Sequence, residues 1–500
     1  MRRGRPIFHP RLGWLAGGAK PVLYLVGMVL LATSAMMLIP MFVDLANDSG
    51  DWRAFALAVT GGGALGLVLV SAFRGSLAQG LNLRQAFLLT PLSWFSVAAL
   101  SAVPLYLTPF GATSGDVTNA FFEAISGITT TGSTVISGLE DAPPGLLTWR
   151  ALLQWMGGIG IIAIAIAVLP ALGIGGMQLF RTESSDRSEK VLPKVRQIAA
   201  AIGSVYLGIT ILAAATYWLQ GMTLFEAVLH ALTTISTGGY STSDSSFGNW
   251  EANGIQWTGT LFMLAGGIPF VLYVRLLAGD RRALFDSQVR SFVLFLAFTI
   301  AVTGTALFLS GLYDAEAAYR FAAFNIVSVV TTTGYATTDY TLWSNVAVAM
   351  FFGLTFVGGC TGSTAGGIKI FRFEVMYVML KSHFRQLLYP NSVVAKTYNG
   401  RPLTDDVINS VVVFFAIFFA AYSALTIMLM AMGLDFLTSA SGAVTALANV
   451  GPGMGDTIGP AGNFSTLPDL AKWLLSFGML LGRLELFTVL ILFYPRFWRS

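Results

Sequence analysis

Four short runs of small and hydroxylated residues are the part of this sequence best suited to chemistry. They read Thr129-Thr130-Thr131-Gly132-Ser133, Ser236-Thr237-Gly238-Gly239-Tyr240, Thr331-Thr332-Thr333-Gly334-Tyr335 and Asn449-Val450-Gly451-Pro452-Gly453. Aligned on Gly132, Gly238, Gly334 and Gly451, they recur at intervals of 106, 96 and 117 residues, one unit per quarter of the chain. None carries a charged side chain, so the groups on offer are backbone carbonyls, hydroxyls and one amide. A ring of carbonyls can replace the hydration shell of a monovalent cation, and glycine has the free φ that lets a carbonyl face an axis. The expected ligand set is Thr130, Thr131 and Gly132; Ser236, Thr237 and Gly238; Thr332, Thr333 and Gly334; and Asn449, Val450 and Gly451. A Thr/Gly-rich helix contact explains any one run by packing alone, but four in register are hard to reduce to it.

Other chemistry is poorly provided for. The single cysteine, Cys360, forbids an internal disulfide, and His9, His230 and His383 have no metal-ligand spacing. No intramembrane Asp or His pair, Ser/Lys dyad or HExxH motif suggests an enzyme. No cofactor is expected in this chain.

Turns of this kind need elements that hold them at membrane depth, and the composition supplies them. The 500 residues are 55% apolar and only 11% charged, with mean hydropathy +0.70, whereas roughly 25% of a soluble domain is charged. The net charge of +4 is an orientation signal rather than a nucleic-acid surface. At about 20 residues per crossing, ten spans lie near 21–43, 54–73, 86–107, 147–170, 198–219, 257–277, 291–312, 343–380 (interrupted), 407–432 and 473–494. The first follows Met1-Arg2-Arg3-Gly4-Arg5 and is too long for a signal-peptide core, so it is expected to be retained. Four apolar stretches of 12 to 14 residues, near 117–128, 224–236, 317–330 and 436–447, are too short to cross, and each leads into one of the four turns.

With the Arg-rich N-terminus inside, 24 of 29 Lys and Arg fall on the inner side, four outside (Arg53, Arg150, Arg320, Lys472), and Arg483 within a span. That bias sets both termini in the cytoplasm and the short stretches on the outer side. A unit of span, short helix dipping in from outside, turn and span then occurs four times. It has an even number of crossings, so all copies point the same way, which favours a ring about one axis. An inverted-repeat transporter would need odd-span units. The expected fold is all-α and membrane-integral: four parallel, pseudo-symmetric span/pore-helix/span repeats around one pore, plus two extra N-terminal transmembrane helices. The units are 1–83 (two spans), 84–180, 181–281, 282–398 (with the interrupted span) and 399–500.

This pattern resembles the Trk/Ktr/HKT superfamily of potassium transporters, and within it the bacterial TrkH type, which is similar in carrying two additional N-terminal spans. The resemblance covers nearly the whole chain. It implies potassium uptake across the bacterial inner membrane, a homodimer with one pore per subunit, a cytoplasmic TrkA-like nucleotide-binding partner, and a potassium filter with one glycine per repeat. Sodium-favouring subtypes often carry serine at the first of these glycines, where this chain has Gly132. The fourth run departs from the Thr-rich pattern with Asn449-Val450 and with Pro452, which lacks a backbone donor.

The eighth span is interrupted by Gly358, Gly359, Cys360, Thr361, Gly362, Ser363, Thr364, Ala365, Gly366 and Gly367, ten small residues of low joint helix propensity. No helix is expected there, and the break should lie beneath the turns. Its other reading is a close-packed glycine-rich helix crossing. A Walker A pattern from Gly362 to Lys369 fails because Ile368 intervenes and no strand precedes it. Arg483, placed at the centre of the last span, costs at least about 2.5 kcal/mol there and needs acceptors. Glu485, two residues on, faces another way, so the carbonyls of the loop are better partners. The resemblance implies that loop and arginine form an intramembrane gate, with Lys369 on the cytoplasmic side, where snorkelling would also account for it. Glu123 and Glu226 are read as opening two short helices, and Gly157-Gly158-Ile159-Gly160 as packing. The basic stretches 171–197 and 369–405 are candidate docking surfaces for a soluble partner, and membrane lipid headgroups would be attracted to the same charges. The competing function is a parallel-repeat secondary transporter coupling cation entry to sodium or protons.

Overall fold

The computed structural model describes residues 18–77, 81–167, 191–250, 252–392, 395–399 and 401–498. Met1 to Arg5, His9, most of the basic stretch 171–197 and the boundary at 180/181 lie outside these residues.

Lys20–Met36 and Leu38–Ala46 together form one crossing and Trp52–Ala72 a second. They cross closely because neither has bulk at the contact. A Cβ on Gly27 would lie 2.8 Å from Leu69 Cβ, and one on Gly66 3.0 Å from the Gly27 oxygen, a small-residue contact suited to a bilayer, where hydrophobic burial does not drive helices together. Long helices Leu83–Leu107, Val191–Leu219, Ser287–Leu309 and Asp405–Met430 each precede a short one: Val117–Ile128, Leu224–Ile235, Ala315–Val330 and Phe436–Ala448. Six of the described helices are long and apolar enough to cross a membrane, and they bury only 28 to 39% of their most apolar windows. So much exposed apolar surface needs lipid rather than water, and the chain is a multi-pass membrane protein.

Every short helix starts with the same device. The side chains of Asp116, Thr223, Asp314 and Asp435 accept hydrogen bonds from the N–H groups of Asn119, Glu226, Ala317 and Thr438. Each cap contributes about 1 kcal/mol and fixes where a helix too short to be stable alone begins. Glu226 completes a capping box with Thr223. Glu123 does not open its helix: it lies in the middle of Val117–Ile128 and is fully buried.

Two of the four helices that follow the turns depart from the expected straight spans. Pro144–Ala167 runs unbroken to the edge of the described residues. The sixth span instead bends by 91° between Asn253–Gly266 and Phe270–Leu277, and the tenth by 110° between Asp469–Arg483 and Phe487–Phe493. At the first bend Gly266-Gly267 precede Pro269, which removes an N–H and starts a new helix. At the second, Glu485 and Leu486 take positive φ, 61° and 43°. Arg483 is therefore the last residue of a helix, not the centre of one. The eighth span is helical over Asn345–Leu354 and Ile370–Leu388 and irregular between Thr355 and Lys369, where a single parallel bridge joins Val357 and Ile368.

Two large apolar cores hold these elements. One joins the N-terminal helices, the first turn's helices and the last quarter of the chain, and the other is built from residues between Ile162 and Ile370 together with Met454. The short helices that lead into the first and fourth turns belong to the former, and those that lead into the second and third mainly to the latter.

Candidate ion pathway

Each short helix ends by driving one non-glycine residue into the left-handed region: Thr130 (φ 53°), Thr237 (φ 51°), Thr332 (φ 60°) and Asn449 (φ 57°). For β-branched threonine this is strained, at about 1–3 kcal/mol each. The next N–H closes back five residues in every case, Thr131 to the Ser126 oxygen, Gly238 to Thr233, Thr333 to Ser328 and Val450 to Thr445, at 2.8 to 3.0 Å. These four matching bonds fix the register of the turns.

The register corrects the second run by one residue. Gly132, Gly239 and Gly334 share φ of 86°, 83° and 83°, while Gly238 has no positive φ. Gly239, not Gly238, is therefore the counterpart of Gly132, and Ser236 moves back to the helix cap beside Thr129 and Thr331. Gly451 aligns in sequence but also lacks a positive φ, consistent with Pro452 restricting the residue before it to extended backbone.

The turns close on one another in cyclic order. A Cβ on Gly132 would strike the Gly238 oxygen, and one on Gly239 the Thr333 oxygen. On Gly334 it would lie 2.7 Å from Gly451 N, and on Gly451 3.2 Å from the Gly132 oxygen. Gly132, Gly239, Gly334 and Gly451 all border one cavity of about 210 Å³. Glycine at these positions is thus a matter of space as well as φ, since backbone approaches backbone around the ring.

Polar side chains behind the turns hold them, and these were not apparent in the sequence. Gln154 is a clamp: its Nε2 donates to the Gly238 oxygen at 2.6 Å and its Oε1 accepts from Tyr240 N at 3.0 Å. Glu123 accepts from Arg150 Nε at 2.8 Å, Val135 N at 2.9 Å and Thr134 Oγ1 at 3.0 Å, while Arg150 also donates to the Ser241 oxygen. Both charges are almost fully buried, and each neutralises the other while joining the first turn to the second. Ser133 Oγ donates to the Gly451 oxygen at 2.8 Å, and Asn449 Nδ2 to Thr131 Oγ1 at 3.0 Å, closing the first turn onto the fourth. Gln154→Leu should leave the Tyr240 N–H buried without a partner, which costs about 1–3 kcal/mol. The expected outcome is a lowered melting temperature for the purified variant in detergent; an unchanged one would remove Gln154 from the clamp.

Above the ring, two carboxylates brace adjacent loops. Asp244 accepts from Gly138 N and Leu139 N, and Glu140 accepts from Ser243 Oγ at 2.6 Å and Asp244 N at 3.0 Å. The Ser243 bond holds the Glu140 carboxyl below its ordinary value. A lowered folded-state value means the brace is complete above the ordinary carboxylate range and is lost as pH falls through the depressed value. The protection of amides over 137–141, taken relative to the intrinsic exchange rate at each pH, should therefore hold from neutral pH down to that range and fall only below it; a loss of protection near pH 6 would exclude Glu140 as the brace.

Beneath the ring, the irregular segment is not a slack loop. Cys360 N and Thr364 N donate to the Gly267 and Gly266 oxygens, Thr361 N to Gln288 Oε1, and Gly366 N to Thr332 Oγ1 at 2.6 Å. Thr364 Oγ1 bonds the Ile235 oxygen at 3.1 Å, at the foot of the second short helix. A Cβ on Gly366 would strike the Ala448 oxygen at the foot of the fourth. Arg483, 3% exposed, donates from Nη1 to the Thr364 oxygen at 2.9 Å and from Nη2 to the Gly157 oxygen at 3.1 Å. It joins the segment to the helix that carries Gln154 and Arg150. Gly157 also serves packing, since a Cβ there would strike the Ile128 oxygen. Lys369 is buried and donates to the Ala365 oxygen rather than reaching for water. Glu485 pairs with Arg372, whose guanidinium lies 3.6 Å over the Phe414 ring. Ala365, Gly366, Gly367, Lys369 and Arg483 border a void of only about 20 Å³, the room of about one water.

Comparison with known proteins agrees with this architecture. Residues 64–500 match the sequence family described as TrkH: Cation transport protein. The chain is 47% identical over 487 residues to the Trk system potassium uptake protein TrkI of Halomonas elongata, covering 96% of this chain and 97% of that one. It is 34% identical over 482 residues to the Trk system potassium uptake protein TrkH of Escherichia coli strain K12, covering 95% and 98%. The crystal structure of the potassium transporter TrkH from Vibrio parahaemolyticus superposes with a TM-score of 0.87 at 32% identity, over 96% of this chain and 99% of that one. On family match, full-length identity and shared fold together, this chain belongs to the TrkH family of cation transport proteins, and is a transporter rather than an enzyme.

Proposed function

We propose that this chain carries potassium ions across the bacterial inner membrane, selecting them at the ring of four turns. The observation that supports this most is the closed cyclic contact of Gly132, Gly239, Gly334 and Gly451 next to Thr130, Thr237 and Thr332, strained in the left-handed region, and Asn449, which shares that conformation without the β-branched penalty. Strain of this kind persists where surrounding structure over-determines it, typically at functional sites. The carbonyls of Thr130, Thr131 and Gly132, Thr237, Gly238 and Gly239, Thr332, Thr333 and Gly334, and Asn449, Val450 and Gly451 are the proposed ligands. Of the nearby carboxylates, Glu123 is neutralised by Arg150 and Asp244, which borders the same cavity, is held by the Gly138 and Leu139 N–H groups, so the oxygens of the turns themselves are neutral, as suits a monovalent cation. The relatives' names as potassium uptake proteins supply the ion.

The segment from Gly358 to Gly367, with Lys369 and Arg483, is the proposed gate, and the chain is divided into an N-terminal pair of spans (1–83) and four units (84–180, 181–281, 282–398, 399–500) around one pore. Both termini are assigned to the cytoplasm on the charge bias. A homodimer and a cytoplasmic nucleotide-binding subunit, docking on the basic stretches 171–197 and 369–405, complete the proposed assembly.

The test is ion flux through the purified chain in liposomes with potassium and sodium varied independently. Currents should reverse at the potassium potential, and added nucleotide should change nothing without a second subunit. A reversal potential that follows sodium or protons would replace this reading with coupled transport, and nucleotide sensitivity of the chain alone would overturn the division of labour.

A further inference from the structure

A second cavity, of about 730 Å³, lies away from the pore on the face opposite the turns, between the start of Ser287–Leu309, the start of Ile370–Leu388 and a small hairpin, Thr397–Tyr398 paired with Arg401–Pro402. Its volume falls within the roughly 300–1,000 Å³ typical of ligand sites. The walls toward the membrane centre are apolar, formed by Phe295, Val357, Ile370 and Phe373. The end toward the hairpin is polar and acidic. Glu374 accepts from Ser291 Oγ at 2.7 Å through Oε1. Its Oε2, Ser287 Oγ and the Tyr398 hydroxyl sit within interaction distance of one another, yet none of the three buried atoms completes a hydrogen bond of ordinary geometry. Asp286 adds a second negative charge nearby. Among the described residues no ion pair involves Glu374. Exposed Arg290 and Lys381 stand on the same two helices, and half-buried Lys396 precedes the hairpin.

Apolar walls, a carboxylate with acceptor capacity to spare and cations on the framing elements, which would form a basic rim, together match one kind of occupant. We propose that this groove binds a phospholipid with a primary-amine headgroup, of the phosphatidylethanolamine type, from the leaflet the charge bias assigns to the cytoplasm. An acyl chain would lie along Phe295, Ile370 and Phe373. The ammonium would donate to Glu374 Oε2, and the phosphate would face the basic rim. A primary ammonium has three donors to offer, while the quaternary ammonium of phosphatidylcholine has none, so the site discriminates between two lipids of otherwise similar shape. Val357 and Ile370 belong both to the groove and to the two ends of the irregular segment, so the lipid would rest against the point from which that segment leaves its flanking helices.

The test is native mass spectrometry of the full chain after equilibration in mixed phosphatidylethanolamine and phosphatidylcholine vesicles. Wild type should retain phosphatidylethanolamine about tenfold over phosphatidylcholine, the size of one charge-assisted hydrogen bond. Glu374→Gln should lose that preference. Val378→Trp, which fills the groove, should lose retained lipid of both kinds, with the elution volume in size exclusion confirming that each variant folds. No preference in wild type, or an undiminished one in Glu374→Gln, overturns the proposal. So does efficient disulfide cross-linking of a Val378→Cys variant between two copies of the chain, which would make the groove a protein interface. All these readouts are of lipid binding and assembly, so they stand apart from the potassium assignment.

Discussion

Replacing Arg483 by alanine is expected to raise potassium flux per folded protein by about tenfold or more in the absence of any partner. Among the described residues the guanidinium is the only side chain whose hydrogen bonds join the irregular segment to the helix Pro144–Ala167, through the Thr364 and Gly157 oxygens. A hydrogen bond from a charged donor contributes about 1.5–3 kcal/mol, and each 1.4 kcal/mol changes an equilibrium about tenfold. If the closed arrangement alone contains these bonds, losing them shifts the population toward an open one. The rise has a ceiling, because Cys360, Thr361, Thr364 and Gly366 keep their own backbone bonds to neighbouring elements. Arg483→Lys, which keeps a charge but loses the fork that reaches two carbonyls, should fall between alanine and wild type. A well-folded Arg483→Ala protein with wild-type or lower flux would show that the arginine serves only to hold the bundle together.

The second large effect is expected at the ring, and it should be graded. Gly132→Ser, Gly239→Ser and Gly334→Ser each place a side chain on a residue with φ above 80°, and each new Cβ meets backbone of the next turn. Backbone cannot swing aside as a flexible side chain does, so the turn must shift and its carbonyls with it. Gly451→Ser has neither handicap to the same degree, with no positive φ and a nearest contact of 3.2 Å. Discrimination of potassium over sodium should fall strongly in the first three and least in the fourth, read as the ratio of the two ions' competing uptake. Equal loss at all four would mean that the structural inequality of the fourth turn has no functional weight. Gly238→Ser offers a check on register: its Cβ would collide with the Gln154 side chain, so its defect should track that of Gln154→Leu rather than that of Gly239→Ser.

Local rules carried the sequence a long way, and their limits are specific. Crossing elements, short apolar helices and the irregular stretch in the eighth span follow from length, hydropathy and joint helix propensity, which depend on neighbours in the chain. Choosing between Gly238 and Gly239 does not, because two adjacent glycines are equally permissive. The choice is made by Thr237 taking the left-handed conformation, which a β-branched residue avoids unless the fold compels it. The bend before Pro269 had its signal in Gly266-Gly267 followed by proline, and hydropathy masked it. The bend at Glu485 and Leu486 had none, since neither residue favours positive φ. The partnerships of Glu123 with Arg150 and of Arg372 with Glu485 span 27 and 113 residues, and no pattern along the chain links them. What could have been read is that a carboxylate in the middle of a short apolar helix needs a cation, and Arg150 was one of only four basic residues assigned to the same side.

Whether potassium occupies the ring formed by the four turns is read from anomalous diffraction by crystals soaked in thallium or rubidium. An anomalous peak is expected on the axis between the carbonyls of Thr131, Gly238, Thr333 and Val450, weakened by excess potassium and lost in Gly132→Ser. A ring without a peak at ion concentrations that support flux, or a peak that lies only elsewhere along the chain, would contradict that occupancy.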